Sequence, residues 1–162
     1  WQRLWLLRQL KFALKHNTLE HIYTCFIRPL LEYADVVWSN CTIEEGNMLE
    51  SVQIEAARIV LGVTKLCNIT KMYDDLKWER LETRRRHHRL ILFYKMKNGL
   101  SPDFLTALIP QQVTESISYN LRNAHDYHPV FARTSLYRNS FLPSAIRDWN
   151  NLPIVFAWSV VS

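Results

Sequence analysis

Arg84, Arg85, Arg86, His87, His88 and Arg89 form the densest run of side chains in this sequence suited to holding phosphate. The planar guanidinium fork makes bidentate, charge-assisted hydrogen bonds to phosphate oxygens and stays charged. The run lies inside the segment Lys77 to Lys97. Its eight basic residues (Lys77, Arg80, Arg84, Arg85, Arg86, Arg89, Lys95, Lys97) and two acids (Glu79, Glu82) carry +6, against +5 for all 162 residues. The rest of the chain therefore sums to −1, and the positive field is concentrated in one place. On a helix Arg85, His88 and Arg89 share one side, flanked by Arg84 and Arg86. That number of phosphate contacts gives binding without sequence preference and with steep salt dependence. Lys77, Arg80, Arg84, Arg85, Arg86 and Arg89 are thus the nucleic-acid-binding candidates, with Lys11, Lys15 and Lys65 extending the track. The competing reading is a solvated helix face, partly paired with Glu79 and Glu82.

Other constellations offer less. Tyr33, Ala34, Asp35 and Val36 include a single acid where two-metal nucleotidyl transfer needs several converging carboxylates. The expectation there is that Tyr33 and Trp38 pack in a core and Asp35 is solvated. His21 and Cys25 lie four apart, but no second pair at zinc-ligand spacing follows them. His125, Asp126 and His128 read as a polar loop. No Ser/His/Asp, Cys/His or Gly-rich phosphate pattern is present, so no catalytic and no metal residue is assigned. Three cysteines, Cys25, Cys41 and Cys67, leave an odd thiol and favour a reducing, intracellular compartment. The six Trp read as core residues and not as stacking platforms.

The elements that must position these residues are helices. Apolar residues at 48% with twenty aromatic side chains supply a core, and only three Gly argue against a turn-dense β fold. Leu4, Leu7, Leu10 and Leu14 recur at helical spacing, and Asn17 and Thr18 end that helix and cap the next. Leu19 to Trp38 continues in helical pattern with a kink at Pro29. Thr42 with Glu44 and Glu45 opens a helix that Gly62 closes. Asn68 to Leu76 predicts a fourth helix, and Lys77 to Lys97 a fifth, stopped by Asn98 and Gly99. Ser101, Pro102 and Asp103 open a short helix to Leu108. Gln111 to Asn139 lacks periodicity and reads as loop, with short strands at Tyr119 to Arg122 and Arg133 to Tyr137. Ser140 to Asn150 is a last short helix. The fold class is mainly α, a small helical bundle with an irregular segment before that last helix. The division is 1–110 helical, 111–153 irregular extension, and 154–162 tail. No apolar run approaches the ~18 residues of a membrane span. Beginning at Trp1 and not at Met, the sequence reads as a piece of something longer.

Ordered along this chain are several short phrases. Ile27, Arg28, Pro29, Leu30, Leu31, Glu32, Tyr33, Ala34 come first, with Trp38 after them, followed by Gln53, Ile54, Glu55, Ala56, Ala57, Arg58. Next come Leu81, Glu82, Thr83, Arg84, Arg85, Arg86 leading to Leu92, Phe93, Tyr94, Lys95, and then Asn98, Gly99, Leu100, Ser101, Pro102. Tyr119, Asn120, Leu121, Arg122 follow, then Ser140, Phe141, Leu142, Pro143, Ser144, and finally Trp149, Asn150, Asn151, Leu152, Pro153. Together they resemble the segment after the catalytic palm in reverse transcriptases of non-LTR retrotransposons, the jockey-like elements in particular. The resemblance covers about residues 4 to 153. It implies a thumb-side, non-catalytic portion of an RNA-directed DNA polymerase that grips template and product through their backbones. On that reading the Mg²⁺ and its aspartates belong to the parent polymerase, whose fingers and palm would be partners, and this chain has no cofactor, membrane or small-molecule substrate of its own. Ile154 to Ser162 departs from the polar ending the family would have.

Overall fold

A computed structural model describes residues 2–116 and 126–152. The chain is mainly helical, and no β-strand occurs among the described residues. Two compact units are formed, one drawn from Trp1–Asp35 and Cys41–Arg85, the other from Val36–Asn40 and Arg86–Ser162. The boundary expected near residue 110 is not where the chain divides. Residues after Arg85 pack with the C-terminal segments instead.

In the first unit α1 (Gln2–Leu10) buries Leu4 and Leu7. It stops at Leu10, short of the expected Leu14. α2 (His16–Ile22) starts before Asn17 and Thr18, with Lys15 as an extended N-cap that offers no side-chain cap. Backbone bonds from Thr18 and Leu19 to the Lys15 carbonyl take over that role. α2 runs into a π-helical turn, Tyr23–Ile27, and then α3 (Arg28–Glu32). Pro29 explains the turn: it lacks an N–H and its ring crowds the carbonyl four residues back. Widening the coil, with the Arg28 N–H bonded to the Tyr23 carbonyl, accommodates both effects. The helical run then breaks at Tyr33 (ψ 121°) and Ala34, whose φ of 51° is left-handed, before the short α4 (Asp35–Trp38).

α5 (Ile43–Leu61) is the axis of this unit and follows its sequence signals. The Thr42 hydroxyl accepts the Glu45 N–H at 3.2 Å, and the Glu45 carboxylate accepts the Thr42 N–H at 2.8 Å. Gly62 closes the helix at φ 71°, and His16 Nδ1 donates to the Val60 carbonyl, one of its last. Ala56, Ile59 and Val60 meet Leu4, Leu7, Leu19, Tyr23 and Ile27 in the core. α6 (Ile69–Leu76) is capped by Asn68, whose side-chain oxygen accepts the Thr70 N–H at 2.8 Å. It ends on Lys77 in the left-handed region, φ 54°, with the Trp78 N–H on the Tyr73 carbonyl at 2.9 Å. Lys77 therefore closes α6 and does not open the next helix, which is the reverse of the expectation.

α7 (Leu81–Lys97) begins at Leu81, where the Glu50 carboxylate accepts the first N–H at 2.9 Å and also the Tyr73 hydroxyl at 2.7 Å. An anion at a helix N-terminus satisfies an orphan donor and suits the macrodipole. Burial, followed by the bond to Glu50, pushes the Tyr73 phenol well above its ordinary value. Gly99, at φ 65°, ends the helix, with the Leu100 N–H on the Lys95 carbonyl at 2.8 Å.

The second unit packs around Phe93, which is fully buried. Tyr127 meets its ring edge-on at 5.3 Å and Trp149 tilts against it at 5.2 Å. Ala145 and Ile146 of α11 (Phe141–Asn150) complete this core. Asn150 reads both backbone groups of Tyr127, accepting its N–H at 3.1 Å and donating to its carbonyl at 2.9 Å. A single antiparallel bridge joins Gln112 to Tyr127. Between α7 and α11 lie α8 (Asp103–Thr106), α9 (Val113–Ser116) and α10 (Ser135–Arg138). The strand expected at Arg133 to Tyr137 is replaced by α10, because the Thr134 hydroxyl accepts the Tyr137 N–H at 3.2 Å and caps a helical turn. The strand expected at Tyr119 to Arg122 lies outside the described residues, as does the tail from Pro153.

Two carboxyls of the first unit lie below their ordinary value, Glu45 through its hydrogen bonds with Thr42 and the more buried Glu55. Burial alone would raise its carboxyl, but hydrogen bonds from Arg8 at 2.5 Å and Arg58 at 3.2 Å outweigh this and hold it below the ordinary 4.5. A carboxyl depressed in the folded state stabilises above its unfolded value and loses that contribution as pH falls through the folded one. Urea unfolding should therefore show stability falling as pH drops below about 4.5. In Glu55→Gln that acid limb should flatten, with lower stability at neutral pH. An unchanged acid limb in the variant would refute the assignment.

Candidate nucleic-acid interface

The six candidate cations fall into different surroundings. Lys77 and Arg80 are exposed in the connection between α6 and α7. Arg84, one turn into α7, grips Glu32 of α3 with two nitrogens, the second at 3.2 Å, and that bond raises the guanidinium further above its ordinary value. Arg85 is only 8% exposed and lies against α5, its Nη2 3.6 Å from where a side chain on Gly46 would begin. Arg86 keeps half of its side chain in solvent, 3.5 Å from Asp148 of α11. Arg89 is paired with Asp148 through two nitrogens, at 3.0 and 2.5 Å.

The side of α7 carrying Arg85, His88 and Arg89, expected to reach a nucleic-acid strand, is therefore turned towards protein. Arg84 and Arg89 pair with Glu32 and Asp148, 52 and 59 residues away. Of the cations proposed to extend the track, Lys15 and Lys65 are exposed and Lys11 is half-buried. The Tyr33 to Val36 expectation is reversed in detail: Tyr33 is 79% exposed and Asp35 is 3% exposed. The chain break at Ala34 rotates the register by which Tyr33 would have faced inward. Trp5 is also exposed, contrary to its reading as core. His125 lies outside the described residues, and the three thiols are free. Among the described residues no three His, Cys, Asp or Glu side chains converge, and no helix is long and apolar enough to cross a membrane.

What the sequence did not reveal is a cleft of about 260 Å³ in the first unit. Arg28 and Arg84 line it with Lys77, and Trp78 and Tyr23 form its aromatic wall. Trp78 stacks on Tyr23 with ring centres 4.3 Å apart and planes 20° apart, and donates its indole N–H to Glu20 at 3.0 Å. Gln53, buried in α5, accepts the Tyr23 hydroxyl at 2.7 Å and donates to the Glu79 carbonyl at 2.8 Å. Glu79 is the acid among the lining residues. The adjacency of Lys77 and Trp78 was a sequence signal for this site. Arg28 gave none, since only the fold brings it across from α3.

The arrangement offers cations beside a fixed aromatic ring, a combination that holds anionic, planar groups. Comparisons of the chain with models of protein families, with curated proteins and with solved structures find no match.

Proposed function

We propose that this chain is a non-catalytic helical segment of an RNA-directed DNA polymerase from a non-LTR mobile element, and that it holds template and product by their phosphate backbones. The ordered phrases from Ile27 to Pro153 support the reading, and the observation that carries it is that Lys77 and Arg80 of the first unit, and half of the Arg86 side chain in the second, are left in solvent. Arg84, Arg85 and Arg89 then serve differently from the sequence expectation: they brace the fold and leave backbone contact to their neighbours. Catalysis, with its Mg²⁺, belongs to the fingers and palm of the parent polymerase, and the free thiols suit an intracellular site of action. A second reading, a protein-interaction domain, is favoured by the exposed side chains of Phe26, Leu30 and Tyr33.

Salt dependence separates the two. Backbone binding predicts weak retention of any polynucleotide, with log affinity falling linearly in log salt. Substituting Arg80 and Arg86 together with Ala should reduce that slope by about 1.4 to 1.8, from ~0.7–0.9 per phosphate contact, equally for RNA and DNA. An unaltered slope with the fold intact would favour the protein-interaction reading.

A further inference from the structure

The cleft of the first unit holds features that backbone gripping by exposed cations does not use. Its volume, about 260 Å³, lies below the ~300–1,000 Å³ that whole small-molecule ligands occupy. It fits one unit of a longer molecule. Trp78 is immobilised before anything enters, by its stack on Tyr23 and its bond to Glu20. Stacking a planar group on such a ring costs little further side-chain entropy. Two nitrogens of Arg84 are committed to Glu32, so Arg84 is a fixed wall. Arg28 approaches Glu32 only at 3.9 Å, and Lys77 is exposed at the end of α6, so these two cations have reach. Gln53 has both ends of its amide engaged, with Tyr23 and Glu79, and is not poised to read a base edge.

We propose that this cleft seats one unpaired nucleotide of a single-stranded polynucleotide, its base on Trp78 and its phosphate on Arg28 and Lys77, without preference among bases. The inference rests on the backbone-binding reading and narrows it to strands whose bases are free. A base inside a duplex has its faces covered by neighbouring pairs and must be unstacked before it can meet an indole. Glu79, at the same cleft, opposes a phosphate, so neutralising it should strengthen binding.

The test is fluorescence anisotropy of the full chain at low salt with labelled oligo-dT and with a hairpin duplex of equal length. The double variant Arg28→Gln, Lys77→Asn removes both reaching cations. Asn is among the residues that tolerate the left-handed backbone of position 77. Affinity for oligo-dT should fall by at least about a hundredfold, the size expected for two lost charged hydrogen bonds, and for the duplex by about tenfold, the share of Lys77 as a backbone contact alone. Glu79→Gln should raise oligo-dT affinity, and it provides a second readout should the double variant unfold. Equal weakening of both ligands, or unchanged oligo-dT binding by both variants, overturns the cleft assignment while leaving backbone binding in place. If the unaltered chain retains neither polymer, the backbone-binding reading fails and the cleft assignment falls with it.

Discussion

Asp148→Ala should destabilise the second unit by about 3 kcal/mol, at the lower end of the ~3–5 kcal/mol that breaking a buried ion pair costs. Asp148 and Arg89 each keep 14% of their side-chain surface in solvent, so the pair is largely but not wholly desolvated. Truncation removes the acceptor of two hydrogen bonds from Arg89, at 3.0 and 2.5 Å, and the nearby anion of Arg86 at 3.5 Å. What remains is a largely buried guanidinium with its charge uncompensated, and that residual charge, more than the lost attraction, sets the penalty. Asp148→Asn keeps an oxygen acceptor and should lose roughly half as much. For a unit of this size 3 kcal/mol corresponds to a fall in Tm of roughly 12–24 °C by circular dichroism. A fall of only a few degrees would mean that Arg89 swings into water, where it would become a backbone-binding cation after all.

How much of this was legible depends on the range of the interaction that decides each residue. α5 was readable because its stop signals are local: Thr42 and Glu45 lie three apart, and Gly62 supplies the positive φ itself. The stop at Asn98 and Gly99 is of the same kind. The start of α7 was not readable, because its first N–H is satisfied by Glu50, 31 residues earlier, and no nearby side chain announces that. The π-helical turn is an intermediate case. Pro29 announced a distortion without saying that it would be absorbed upstream as a widened coil.

The site shows the same division. A run of arginines states its charge but not its partners, and Glu32 and Asp148 are invisible to any spacing rule. Charge counting therefore treated six cations as equivalent, whereas burial separates Lys77 and Arg80 in solvent from Arg85 at 8% exposure. Tyr33 and Asp35 exchanged roles because a single left-handed residue, Ala34, resets the helix phase between them. Apolar periodicity assumes an unbroken helix, and one dihedral angle is enough to invalidate it.

Gln53→Leu carries the other large effect, an expected loss of about 3 kcal/mol from the first unit. Leu nearly fills the same volume, so little packing is lost, but the Tyr23 hydroxyl and the Glu79 carbonyl are each left without their partner. An unsatisfied buried polar group costs ~1–3 kcal/mol, so two give roughly 2–6 kcal/mol. Water entering the adjacent cleft relieves part of the carbonyl's share, which places the estimate near the lower end. Burial pushes the Tyr23 phenol far above its ordinary value, so it remains a neutral donor across the working pH range and the loss should not vary between pH 6 and 9. Adding Tyr23→Phe removes the orphaned hydroxyl along with its acceptor. The double variant should thus be more stable than the sum of the two single losses predicts, by about 1 kcal/mol. Strictly additive losses in urea unfolding would show that the hydroxyl finds another partner, and that Gln53 is not what holds the aromatic wall of the cleft in place.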